Sequence, residues 1–154
     1  MCIKSFLKLF SNSPKLYEKP ELELLQVSSE QVKAEIDLAK LKLLYPVLLD
    51  AGQPYYHIKA EDWAEALNWL YFKQGLPEYE SGRMDCDDFA IWMKGLVAAN
   101  FGLNYFGVVF GNSPPGYHAW NILRADNGLL QLEPQTGKLF ELSERGYYPE
   151  YILL

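Results

Sequence analysis

The order of helical and β-forming segments most constrains what this chain can fold into. Helical periodicity dominates the first hundred residues, whereas short runs rich in β-forming residues dominate the rest. Four such runs lie at 105–110, 118–124, 129–133 and 138–142. Turn-forming residues separate them at 113–116, 126–128 and 134–137. Runs joined by such short connections pair as hairpins, so we predict an α+β fold with helices packed on an antiparallel β meander.

Three helices are predicted before the meander. Ser28 and Gln31 have the spacing of a capping box, and apolar residues keep a helical period from there as far as Pro46. Residues 61–73 carry one apolar stripe with acidic residues in the first turn, and residues 86–99 have the same features. The last of these helices is the one predicted to pack on the meander.

Length and composition fit one globular domain. The chain has 154 residues, of which 49% are hydrophobic and 22% charged, so there is enough apolar material for a core and too little charge for a disordered chain. The formal net charge of -6, with no basic patch, argues against a nucleic-acid partner. We predict a single domain at 21–154, preceded by an N-terminal amphipathic segment and linker at 1–20.

Residues 1–10 have apolar side chains at the spacing of a small amphipathic helix. We expect this helix to pack on its own domain or on a partner protein, with contact to a membrane surface as the alternative. No apolar run is long enough to cross a bilayer, so no integral membrane segment is expected. The two cysteines, Cys2 and Cys86, are too few for a disulfide framework, which suits a reducing, cytoplasmic location.

Cys86 is the candidate nucleophile. It is predicted to begin a helix after the N-cap Asp85, where unpaired backbone N–H groups favour a thiolate and could also donate to an oxyanion. The carboxylates of Asp85, Asp87 and Asp88 would oppose thiolate formation if they point at the sulfur. Cys86 also shares a helix face with several apolar residues, so a buried structural thiol is the alternative interpretation.

His118 is the candidate general base. It begins a β run directly after a Pro-Pro-Gly turn, which places it at a strand end where a site can reach solvent. The other histidine, His57, lies in a Tyr-rich loop without a carboxylate partner in an obvious motif and is predicted to be structural.

Glu133 is the candidate for orienting the imidazole of His118, and the hairpin register decides whether the two side chains meet. A loop centred on 126–127 places Glu133 opposite Trp120 and diagonal to His118, at roughly 7–8 Å between Cα atoms. A loop at 127–128 moves Glu133 two residues away, and a three-residue loop turns it to the other face. Asn121 is the alternative by residue type, but strand alternation places it on the face opposite His118.

Three short motifs resemble those of a known superfamily. They are Asp-Cys-Asp-Asp-Phe-Ala at 85–90, His-Ala-Trp-Asn at 118–121 and Leu-Glu-Pro-Gln-Thr-Gly at 132–137. Together they resemble the cysteine, histidine and acid motifs of the transglutaminase-like superfamily, in particular its bacterial cysteine peptidases. The resemblance implies a papain-like core with Cys86 as nucleophile, His118 as general base and acid, and Glu133 in the position usually held by Asp.

The predicted function is therefore cysteine-dependent acyl transfer on an amide bond through a thioester. A peptidase or amidase is favoured over a transglutaminase, because water needs no second binding site. Tyr117, Trp120 and Asp87 neighbour the motifs and are the candidate contacts to a peptide or amide substrate. No cofactor is required for this chemistry.

Two alternatives come from other classes of function. The first is a non-catalytic binding or assembly module that keeps the same fold, such as a phage or mobile-element protein that docks on a larger partner. The second is a metal site built from Cys86, Asp87, Asp88 and His118. Carboxylates at adjacent helix positions diverge by about 100°, so they do not converge easily on one ion, and no metal is predicted.

Overall fold

A computed structural model describes residues 18–39, 45–50, 52–144 and 146–154 of the chain. The amphipathic helix predicted at 1–10, and most of the linker predicted before residue 20, lie outside the described residues.

The described residues form three helices and eight strands. The helices are α1 (Ser29–Leu38), α2 (Ala60–Gln74) and α3 (Cys86–Phe101). The strands are β1 (Leu25–Val27), β2 (Tyr45–Val47), β3 (Tyr55–His57), β4 (Phe106–Ser113), β5 (Gly116–Ala125), β6 (Gly128–Glu133), β7 (Lys138–Glu141) and β8 (Tyr148–Leu153). The predicted α+β class, with helices preceding a β meander, is confirmed.

A side-chain cap defines where α1 begins. The predicted capping box of α1 is present, because Ser28 Oγ accepts from Gln31 N and Gln31 Oε1 accepts from Ser28 N. The prediction that this helix continues as far as Pro46 was wrong: α1 ends at Leu38, and Pro46 lies in β2. Proline lacks an N–H and forces the residue before it toward an extended conformation, so helical periodicity could not extend into this segment.

One six-stranded sheet organises the molecule, in the order β2-β8-β4-β5-β6-β7. Strands β4 to β7 form the predicted meander, β8 returns to pair antiparallel with β4, and β2 joins the edge in parallel with β8. Strands β1 and β3 form a separate antiparallel pair. The sequence did not reveal β8, whose pairing partner lies about 40 residues earlier in the chain.

Helices pack on both faces of the sheet, because successive side chains of a strand point to opposite faces. Buried side chains of α2 and α3 form one cluster with Phe106, Leu123 and Leu132. Those of α1 form another with Val109, Trp120 and Ile122. Strand β5 therefore contributes side chains to both clusters, one on each face of the sheet.

Candidate functional site

The candidate residues gather at one end of the sheet, which we call the rim. It comprises the ends of β4 and β6 and the beginnings of β5 and β8, at 111–113, 116–118, 132–133 and 148–150. The first turn of α3 lies at the same end, because Cys86 packs against Ala119 of β5. The fold thus brings segments from distant parts of the sequence to one edge.

His118 and Glu133 are in contact at the rim. Strands β5 and β6 pair with Ala125 opposite Gly128, which leaves a loop at 126–127 and is the first of the registers considered from the sequence. Glu133 is consequently diagonal to His118, and its Oε2 lies 2.7 Å from His118 Nε2. The two side chains are 13% and 12% exposed, so this hydrogen bond is mostly shielded from solvent.

Trp120 is part of the core rather than the surface. Its side chain has no exposed area, and its Nε1 donates to Gln131 Oε1 at 2.7 Å. The imidazole of His118 stacks on the indole, with 6.2 Å between ring centroids and 21° between planes. Trp120 therefore restricts the orientation of the His118 imidazole by stacking on it. Because the Trp120 side chain is fully buried, a substrate could not contact it.

Cys86 begins α3 as predicted, but it contacts a different part of β5. Its neighbours are the buried residues Ala90, Val108 and Ala119. Because neighbouring side chains of a strand alternate, Ala119 faces α3 while His118, which stacks on Trp120, is directed to the other face. Both residues are described in the structure, and no hydrogen bond joins Cys86 Sγ to His118.

Asn121 binds the helix instead of orienting the imidazole. Its Nδ2 donates to Ala90 O at 2.8 Å and to Gly107 O at 3.0 Å, and the whole side chain is buried. Asn121 thus fixes α3 on the sheet, consistent with the expectation that it lies on the face opposite His118.

The acidic residues around Cys86 interact mainly with one another and with the helix N-terminus. Ligand-type atoms of Asp85, Cys86 and Asp87 lie within 4.8 Å of one another. The hydrogen bond between the two carboxyl groups lowers the pKa of Asp85, which Gly82 N lowers further, and raises the pKa of Asp87. Asp85 also caps α3 with Asp88. Asp85 and Asp87 therefore interact with each other beside the cap of α3.

Tyr117 lies in a row of polar and aromatic side chains. The sequence did not predict that these residues lie together. The register places Tyr148 of β8 and Tyr117 of β5 on either side of Asn112 of β4. The two tyrosines are 65% and 60% exposed, and Asn112 Nδ2 donates to Glu150 Oε1 at 2.9 Å. Only the unpredicted strand β8 brings Tyr148 and Glu150 here, so no local signal identified them.

His57, predicted to be structural, is 2% exposed and lies against Arg124. Its Nδ1 donates to Ile58 O at 3.3 Å, while Arg124 Nη1 donates to its Nε2 at 2.5 Å. Burial, and to a smaller extent the charge of Arg124, lowers the pKa of His57, although the Ile58 carbonyl, Glu35 and Asp126 act in the opposite direction. The neutral imidazole is therefore the form that fits the fold.

Stability is expected to fall in mild acid because of His57. Its pKa is depressed in the folded protein, so the unfolded chain binds the proton more readily once the pH drops below the ordinary value of 6.5. The free energy of unfolding should therefore decrease from pH 6.5 downward, by up to about 1.4 kcal/mol per pH unit. Urea titrations from pH 7 to 5 should show a shallower decrease in His57→Gln. A decrease that persists in His57→Gln and disappears in His118→Gln would contradict this assignment.

Comparisons with known proteins point to a lectin family. A family model described as the ricin-type beta-trefoil lectin C-terminal domain matches residues 47–154. The structure superposes with a TM-score of 0.67 and 26% identity on a chain of the PSL1a-E64 complex. It superposes with a TM-score of 0.69 and 20% identity on the Polyporus squamosus lectin, which was crystallised with Neu5Aca2-6Galb1-4GlcNAc. In both cases 84% of this chain covers 50% of the other. No curated protein sequence matches the chain.

These findings correct the interpretation drawn from the three short motifs. The resemblance to transglutaminase-like cysteine peptidases was wrong, because the family model spans 47–154, far more of the chain than the motifs do. The predicted papain-like core is not shown; what is shown is an α+β domain that matches the lectin family. The predicted cysteine hydrolase and its peptide or amide substrate are likewise contradicted, since the family model that matches describes a lectin domain.

The helices of the structure bear on the expectation that no segment crosses a membrane. Within the described residues, none is both long enough and apolar enough to span a bilayer.

Proposed function

Because the chain belongs to the family of ricin-type beta-trefoil lectin C-terminal domains, we propose that it is a non-catalytic binding module of a glycan-binding protein. The chain spans half the length of the solved proteins that it resembles, so it corresponds to one part of such a protein. The observation that carries this proposal is the family match over 47–154, a range that contains every candidate site residue.

The arrangement of the rim supports binding better than it supports nucleophilic catalysis. A cysteine nucleophile requires an imidazole that accepts the thiol proton, as well as a group that orients that imidazole. His118 has an orienting partner in Glu133, but no hydrogen bond connects it to Cys86. The acid–imidazole pair thus acts as a rigid polar support beneath the surface of the rim.

The candidate residues take different parts in this proposed module. Tyr117, with its side chain in solvent, and Asp87, in the first turn of α3, are the groups that a ligand would reach first. His118 and Glu133 fix the β5–β6 hairpin from within. Cys86 contributes apolar packing between α3 and β5.

The proposal is tested by measuring two activities of the purified chain. We expect saturable binding of Neu5Acα2-6Galβ1-4GlcNAc, and of the uncharged disaccharide Galβ1-4GlcNAc, in isothermal titration calorimetry, with cellobiose as a matched control that does not bind. We also expect no amide-bond hydrolysis of a casein substrate above that of Cys86→Ala. Absence of binding to both glycans, or hydrolysis that Cys86→Ala abolishes, would overturn the proposal.

A further inference from the structure

We propose that His57 of β3, Arg124 of β5 and Glu35 of α1 form a pH-sensitive latch, which holds α1 on the sheet at neutral pH and releases it in mild acid. The three side chains form one connected group, because Arg124 binds both His57 and Glu35. The release is local: the six-stranded sheet stays folded while α1 leaves the face of β5 that it covers. The latch acts in the same way whichever ligand the module binds.

The hydrogen bonds of the His57 imidazole require its neutral form. Arg124 Nη1 can only donate, so the ring nitrogen that it contacts at 2.5 Å, Nε2, is an acceptor without a proton. The ring proton lies on Nδ1, which donates to Ile58 O at 3.3 Å. A second proton, on Nε2, would face an N–H group of a permanent cation in a site where His57 is almost completely buried.

The charged groups near His57 do not compensate for that second proton. They are Arg124 of β5, Glu35 of α1 and Asp126 of the turn between β5 and β6. The two carboxylates favour protonation, but Glu35 is already bound to Arg124, and Asp126 Oδ1 accepts from Ala60 N at 2.9 Å. Burial is the larger effect and lowers the pKa of His57, so the imidazole binds a proton more readily once the latch is open.

Protonation of His57 also disturbs the contact between Arg124 and Glu35, because a guanidinium group is planar and rigid. Arg124 Nε and Nη2 each lie 2.9 Å from a carboxylate oxygen of Glu35, while Nη1 contacts His57. Since the three nitrogens belong to one plane, Nη1 cannot turn away from His57 without moving the other two. Glu35 then keeps only the hydrogen bond from Tyr105 Oη, at 2.9 Å.

Of the three elements that the latch joins, β3 and β5 are fixed by backbone groups. Tyr56 N of β3 donates to Asn104 Oδ1 at 2.6 Å, and Tyr105 N donates to Tyr56 O at 3.0 Å. Strand β5 pairs with β4 on one side and with β6 on the other. Opening of the latch is therefore not expected to displace either strand.

Helix α1, by contrast, is joined to the rest of the described residues by side chains. Ser29 Oγ accepts from Gly52 N at 3.1 Å, and Glu35 takes part in the latch. Among the described side chains of α1, the buried apolar ones are Val32 and Ile36. A helix with so few anchors is the element that a broken ion pair can release.

Release of α1 uncovers part of an apolar face of the sheet. Val32 and Ile36 pack there in one cluster with Val109, Trp120 and Ile122. An apolar surface that becomes exposed is a typical site of contact with other molecules. The latch therefore gives the module a second state in acid, in which a surface next to the rim is accessible.

The latch is tested by hydrogen–deuterium exchange of the full chain at pH 7 and pH 5, with rates corrected for the intrinsic effect of pH on exchange. We expect the amides at 30–38 in α1 to lose protection by up to about 25-fold. This limit applies to an imidazole with the ordinary pKa of 6.5 in the open state and no bound proton in the closed state. The amides of α3, which carries no latch residue, should change by less than about threefold.

Two variants identify the group that titrates. His57→Gln keeps an uncharged acceptor for Arg124 and cannot titrate near neutral pH, so the protection of α1 should be equal at pH 7 and pH 5. His118→Gln replaces the only other histidine of the chain and should lose protection in α1 as the unmodified chain does. Equal loss in α1 and α3, no loss in the unmodified chain, or a loss that persists in His57→Gln overturns the latch.

A second measurement decides the question if His57→Gln does not fold. The imidazole C–H signals of the unmodified chain can be followed by NMR from pH 7 to pH 5, with His118→Gln to assign them. A loss of α1 protection that follows the titration of His57 supports the latch. A loss that does not follow it overturns the latch.

Discussion

Replacing Gly111 with alanine is expected to destabilise the fold by about 3 kcal/mol or more. A Cβ atom at this position would lie 2.2 Å from Tyr148 O and 3.0 Å from Pro149 Cα. Both atoms belong to the backbone of β8, so no side-chain rotation can relieve the overlap, and the strands must separate. Gly111 lies where the β4–β8 pairing changes register, at the point that brings Tyr148 beside Asn112.

The effect of Gly111→Ala can be measured as a change in the free energy of unfolding in urea. Gly95→Ala is a matched control, because Gly95 lies inside α3 and a Cβ atom there meets nothing within 4 Å. Alanine is the better helix former, so Gly95→Ala should be neutral or up to about 1 kcal/mol more stable. Similar unfolding free energies for the two variants would show that β8 does not approach β4 as closely as the structure has it.

Local patterns predicted the elements that depend on local residues. The period of α2 and the capping box of α1 are properties of neighbouring residues, and both are present at the expected positions. The hairpin between β5 and β6 was also predicted, whereas its register was left open among three loops and is the first of them in the structure. These elements need no information about distant parts of the chain.

The elements that were missed depend on pairing across the chain. Strand β8 pairs with β4, and β2 pairs with β8. The paired strands are far apart in the sequence, and local hydrophobic periodicity carries no information about such pairing. Pro149 lies inside β8, opposite Gly111, and the pairing with β4 shifts register beside it. Without β8, the sequence could not show that Tyr148 and Glu150 join Tyr117 at the rim.

The candidate site residues were named from the sequence, but the sequence did not establish which of them contact one another. Contact between His118 and Glu133 depends on one hairpin, and it follows from one of the three registers that the sequence allows. Contact between Cys86 and His118 depends on how α3 sits on β5, which the motifs do not specify. Three short motifs were therefore a weaker guide to the family than a match that runs over 47–154.

Replacing Glu35 with glutamine is expected to lower the free energy of unfolding by about 3 kcal/mol, because it leaves a shielded guanidinium without its counter-charge. Glu35 of α1 accepts from Arg124 Nε at 2.9 Å and forms a second contact with Arg124 Nη2 at 2.9 Å. Tyr105 Oη donates to the same carboxylate at 2.9 Å. Since Arg124 is also bound to His57, the loss of Glu35 affects the junction of α1, β3 and β5.

The matched control for Glu35→Gln is Glu23→Gln, which makes the same change of charge in an exposed pair. Glu23 Oε2 lies 2.6 Å from Lys59 Nζ, but the side chains of Lys59 and Glu23 are 39% and 65% exposed, compared with 16% and 28% for Arg124 and Glu35. Solvent screens an exposed pair, so Glu23→Gln should change the unfolding free energy far less than Glu35→Gln does. Raising the salt concentration should weaken the Lys59 pair more than the Arg124 pair. Equal decreases in the free energy of unfolding of the two variants would mean that Arg124 becomes hydrated when Glu35 loses its charge. Helix α1 would then be held to the sheet only by its apolar side chains, Val32 and Ile36.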